Sequence, residues 1–167
     1  MAHVSFFNTR ASLLLGVAVC AFDAADGSFL LSMLACPLWL LTSLARSIWL
    51  QPGLAVASVR VAVPIAVLAV AFLNDSFQRR LAMGRADPVV SAIREYRDAN
   101  GLYPGDLQQL VPKYLPFVPR PKYAITFNTF FCTSGGSEGQ PRLWWIDVPP
   151  HGKRSYNFHE ARWSFID

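Results

Sequence analysis

Residues 96–121, YRDANGLYPGDLQQLVPKYLPFVPRP, decide how this chain is built. Asn100-Gly101 supplies the left-handed residue that ends a helix, so a helix arriving from the N-terminal side must stop there. Asp106 caps a brief helical turn over 106–111. Prolines 112, 116, 119 and 121 then hold the chain extended and irregular.

Toward the N-terminus, Val89, Ile93 and Tyr96, with Val90 and Ala92 beside them, recur at spacings of three and four. Arg94, Glu95, Arg97 and Asp98 take the opposite face. Asp87-Pro88 reads as an N-cap followed by proline at the first helical position, which predicts a separate amphipathic helix of about three turns. Toward the C-terminus, 122–131 alternates, with Tyr123, Ile125, Phe127 and Phe131 on one side, and predicts a first strand. A glycine-rich turn follows at 134–139. The run 143–148, LWWIDV, predicts a second strand with Trp144, Ile146 and Val148 on the core side and Trp145 on the other. A turn at 149–153, a short strand at 156–158 and a last strand at 162–166 with Trp163 and Phe165 inward complete the pattern. One helix followed by consecutive antiparallel strands is an α+β arrangement.

The first 73 residues are of another kind. They carry Arg10, Asp23, Asp26, Arg46 and Arg60, five of the chain's 26 Lys, Arg, Asp and Glu residues. Residues 27–45 contain no charge and approach the ~20 residues a spanning helix needs, with Pro37 as an internal kink. Residues 54–73 form a second such run. Its Arg60 either snorkels to the headgroups or pairs with a carboxylate. Residues 11–22 are short for a span on their own. They lengthen to about 6–25, or else serve as the apolar core of a signal peptide with Val19-Cys20-Ala21 as cleavage site. Residues 46–53, with Trp49, Pro52 and Gly53, read as an interfacial anchor and turn. Residues 74–85 extend the last span outward. The expected domains are a membrane anchor at 1–73, with spans at about 6–25, 27–45 and 54–73, and an exported α+β domain at 74–167.

Arg10, Arg46 and Arg60 flank one side of these spans, while Asp23, Asp26 and Asp75 flank the other. The positive-inside rule then places residues 74–167 outside, whether the first segment is kept or cleaved. In a bacterium this is an inner-membrane protein with a periplasmic C-terminal domain. That domain holds twelve basic and nine acidic side chains with no basic cluster beyond Arg79-Arg80 and Lys153-Arg154, which argues against nucleic acid as partner.

Tyr96, Gly101, Tyr103, Pro104, Leu107 and Leu110, then Pro112, Tyr114, Leu115 and Pro119, resemble the helix end and following segment of the soluble domains of type IV pilins and type II secretion pseudopilins. The resemblance spans residues 86–167. It implies a hydrophobic helix that continues into an amphipathic half packed on an antiparallel sheet. It also implies work in protein–protein interaction, as an accessory of a pilus or secretion apparatus. A prepilin glutamate is missing: Ser58 stands fifth after Gly53, and Ala21 fifth after Gly16. Several apolar spans also oppose extraction of a filament subunit from the bilayer. The chain therefore reads as a stationary membrane protein using a pilin-like head. The alternative is an immunity-type membrane protein that neutralises a periplasmic toxin.

No catalytic constellation is expected. The histidines are His3, His151 and His159; His159-Glu160 is an adjacent pair, not a metal-binding spacing. Asp147 and Glu160 read as solvated strand carboxylates, and Cys132 as a partly buried, inert thiol. No enzyme activity, cofactor or metal is expected. The partners expected are the lipid bilayer and a protein. The residue singled out for contact is Trp145, as an exposed tryptophan on a sheet face, unless a membrane contact or the returning chain covers it.

Overall fold

The apolar runs of the N-terminal half satisfy their backbone polar groups within their own helices, as spanning segments must. In the computed structural model, which describes residues 2–26, 29–50, 53–135, 139–149 and 151–166, these runs are α1 (Ala2–Asp26), α2 (Leu30–Leu50) and α3 (Leu54–Asn100). Among the described residues the rest is a 3-10 turn at Leu107–Leu110 and four strands: β1 (Phe131–Thr133), β2 (Arg142–Val148), β3 (Gly152–Asn157) and β4 (Arg162–Ile166). The fold is α+β, and the chain divides into two compact units between Ser76 and Phe77.

In the first unit, Val19 of α1, Cys36 of α2 and Val67 of α3 form a small buried cluster, with Cys20, Trp39 and Val63 packed against it. Gly16 lets α1 come close: a Cβ there would lie 2.9 Å from Val67 Cγ2. Small residues at helix contacts serve this purpose in bilayers. Asp23 is buried and accepts hydrogen bonds from the backbone N–H of Leu31 (3.1 Å) and Ser32 (2.9 Å), capping α2 from α1. α2 and α3 are each long and apolar enough to cross a membrane, and only 17% of each apolar window is buried inside the protein. Leu34, Leu38, Leu41, Val70 and Phe72 are exposed. That much uncovered apolar surface points to membrane association.

Several expected boundaries shift. The second apolar helix is Leu30–Leu50, not 27–45, so Arg46 and Trp49 lie in helix rather than in a connector. Ser47 Oγ donates to the Ser43 carbonyl within that last stretch. The expected turn residue Pro52 lies outside the described residues, as do Gly136, Ser137 and Glu138 of the glycine-rich turn and Pro150 of the next one.

The helix does not restart at Asp87-Pro88; both residues sit inside α3. Proline removes one helical N–H, whose acceptor would be the Gly84 carbonyl. Gly84 is exposed, so water reaches that carbonyl. Buried side chains on both sides of the pair, Ala82, Ala86, Val89, Val90 and Ile93, belong to one core cluster and hold the helix through it. α3 ends as expected: Gly101 has φ +73° and donates to the Arg97 carbonyl at 2.7 Å. Asp106 caps the 3-10 turn, accepting from the Gln108 N–H at 2.9 Å.

The second unit's core joins those α3 residues to Leu107, Leu110, Leu115, Phe130, Leu143, Trp145, Tyr156 and Phe158. The sheet order is β1-β2-β3-β4, antiparallel throughout. The strand expected over 122–131 is reduced to β1 at its far end. Gln78 of α3 takes both backbone groups of Tyr123, accepting its N–H (2.9 Å) and donating to its carbonyl (3.2 Å). Asn128 Nδ2 donates to the Ala124 carbonyl at 2.6 Å, and Phe127 has φ +51°. Side chains thus take the Tyr123 backbone groups and the Ala124 carbonyl, which a strand would need for its ladder.

Candidate functional site: the open face of the sheet

Side chains alternate along a strand, so β2 presents two opposite surfaces. Leu143, Trp145 and Asp147 are buried, while Trp144, Ile146 and Val148 are half-buried. This reverses the expected facing. Trp145, expected on the outer surface, is 0% exposed. Its ring packs edge-on against Phe130 (5.4 Å) and Trp163 (5.3 Å), so it belongs to the core. On β4, Trp163 and Phe165 pair in register with Tyr156 and Arg154 and so lie on the inward side, as expected, with Phe165 exposed at the sheet edge.

The parity was hard to read because each face carries one tryptophan, and only the inward face carries a carboxylate. Asp147 is tolerated inside because it is surrounded by cations. Arg154 donates to Oδ2 through Nε (3.2 Å) and Nη2 (3.0 Å), and Arg79 Nη1 lies 3.8 Å away. Lys122, as buried as Asp147 at 1% exposure, donates to the Asp147 backbone carbonyl and sits 3.9 Å from Oδ1. Asp147 is therefore not a solvated strand carboxylate; it is the centre of a buried charge cluster.

On the other surface the register brings together Phe131, Trp144 and Ser155, then Thr133, Arg142 and Asn157, then Ile146, Lys153 and Ile166. The Trp144 indole stacks on Phe131 at 4.4 Å with an 18° interplanar angle, and Lys153 Nζ lies 5.1 Å over the indole. Thr133, Gly139, Gln140, Arg142, Trp144, Lys153, Ser155 and Ile166 line a shallow cleft of about 640 Å³. Its described lining has two cations and no carboxylate. Ser155 is buried, and its hydroxyl finds no hydrogen-bond partner among the described residues. The cleft offers a stacked aromatic platform, two long cationic side chains and hydroxyl groups. Among the lining residues described, no nucleophile is paired with a base.

His151 and His159 are exposed and do not line this cleft. Among the described residues no group of three or more His, Cys, Asp or Glu could hold a metal ion. Burial, and secondarily the Asp106 charge, pushes the Cys132 thiol up to about 11. Its Sγ lies 3.7 Å from the Pro104 carbonyl. No protein-family model, curated protein or solved structure matches the chain.

Proposed function

We propose that this is a bacterial inner-membrane protein whose periplasmic C-terminal half is a pilin-like interaction domain, an accessory of a pilus or secretion apparatus. The observation that carries this reading is α3. One helix runs from an apolar stretch of spanning length into an amphipathic stretch whose buried residues share a core with an antiparallel sheet. This is the arrangement the pilin resemblance implies.

The open sheet face is the contact surface of this reading. Trp144 replaces Trp145 as its anchor, because large aromatic side chains flanked by cations dominate binding energy at interfaces. Arg142 and Lys153, with no carboxylate in the described lining, select an acidic partner segment.

The test is affinity purification of C-terminally tagged full-length protein from mildly solubilised membranes, with partners identified by mass spectrometry. Pilus or secretion components should be recovered with the parent. Trp144→Ala should weaken their capture by at least about tenfold, the loss expected of an interface anchor. Recovery of a single unrelated exported protein, or full capture by Trp144→Ala, would contradict the reading.

A further inference from the structure

We infer that the first unit holds a phosphate-binding recess for a phospholipid headgroup, built by Ser12 of α1, Trp39, Thr42, Ser43 and Arg46 of α2, and Arg60 of α3. This rests on the membrane reading above. The recess measures about 70 Å³. That suits one phosphoryl group, against ~30 Å³ for a water in bulk liquid, and excludes a peptide or a nucleotide.

Its chemistry is that of an anion site. Trp39, Thr42, Ser43 and Arg46 recur at spacings of three, one and three, which places them along one side of α2. Thr42 Oγ1 donates to the Trp39 carbonyl at 2.9 Å, so its proton is taken within α2 and the donors left for an anion are the two guanidinium groups. Arg60 Nη1 is buried and has no hydrogen-bond partner among the described residues. A buried guanidinium N–H without an acceptor is unfavourable, and no carboxylate lines the recess to accept it. The carboxylate expected beside Arg60 is therefore not in this recess. Asp23 instead spends its oxygens on the start of α2. A guanidinium fork matches a phosphate bidentately, and Arg46, exposed at the rim, adds a second cation.

The source of the phosphate follows from where the recess lies along the helices. Arg46 is four residues from the end of α2 and Arg60 six residues into α3, so both belong to the end of the unit nearest the α2–α3 connection. The positive-inside rule puts that end at the cytoplasmic headgroups. Basic pockets between spanning helices at this level take anionic headgroups. Leu38 and Leu41, exposed on α2, supply apolar surface for acyl chains.

The test uses full-length protein in neutral detergent, with thermal unfolding followed against added phosphatidylglycerol, phosphatidylcholine or inorganic phosphate. Phosphatidylglycerol should raise the unfolding midpoint progressively, with the logarithm of its concentration once that exceeds the dissociation constant. Arg46→Gln, at an exposed position, should keep the lipid-free midpoint and weaken the apparent affinity about tenfold, the effect of losing one charge-assisted hydrogen bond. Arg60→Lys, which keeps the charge and loses the fork, should also weaken it. An arginine-dependent shift from inorganic phosphate at equal phosphate concentration would assign the recess to a soluble anion and overturn the lipid source. A phosphatidylglycerol shift unchanged in both variants, or matched by phosphatidylcholine, would overturn the site itself. Carbonate-washed membrane fractions separate the two readings. Protein retained there without lipid dependence loses only the recess, whereas protein recovered in the soluble fraction removes both.

Discussion

A carboxylate in a small core is stable only while its counter-charges stay in place. Asp147 has three, and one of them, Lys122, is as completely buried as Asp147 itself. Removing one partner of a buried ion pair leaves the other charge uncompensated, which costs about 3–5 kcal/mol. Asp147→Ala should therefore lower the unfolding midpoint more than any single substitution on the open face. The double variant Asp147→Leu, Lys122→Met should recover part of that loss, because the two residues couple. Asp23 acts at the same scale in the first unit. Asp23→Ala should cost about 1–2 kcal/mol through two freed N–H groups at the start of α2, while Asp23→Asn retains an acceptor and loses less. Cys132 gives a pH prediction. Because its folded value is raised to about 11, the thiol stays protonated at pH 8, and iodoacetamide should label it only after unfolding. The same raised value means stability falls as pH climbs from about 9 toward 11, where the unfolded chain gives up the proton first.

At the scale of elements, α3 contradicts its own local signals. Asp87-Pro88 is good chemistry for a helix start, and a reading by local chemistry alone begins a helix there. The core on both sides of the pair carries the helix through instead. Pro88→Ala should consequently raise the unfolding midpoint, restoring one hydrogen bond and relieving about 1–3 kcal/mol of interior-proline cost. The helix stop at Gly101, the capped turn after Asp106 and the strands near 143–148 and 162–166 were legible because local chemistry decides them. The 122–131 segment was not, because its fate depends on Gln78, some 45 residues earlier in the chain. The open face of the sheet was half legible. Adjacent tryptophans on β2 announced it, but choosing between them required knowing that Lys122 and Arg154 neutralise Asp147 on the inward side.

For the whole molecule, the apolar surface left uncovered on α2 and α3 and the concentration of charge after residue 73 argue for a chain divided between lipid and water. An alkaline phosphatase fused after Ile166 should be active in the periplasm, and a fluorescent protein fused there should remain dark; the opposite pair of results would invert the proposed orientation. Which side chains the open face of the sheet presents depends on parity along β2. Trp144 and Trp145 differ by one position, so a single-residue insertion ahead of them in that strand would carry Trp144 inward and set Asp147 in water. Insertions and deletions there should consequently be tolerated in twos and rejected in ones, a frame-like constraint imposed on a folded surface rather than on a reading frame.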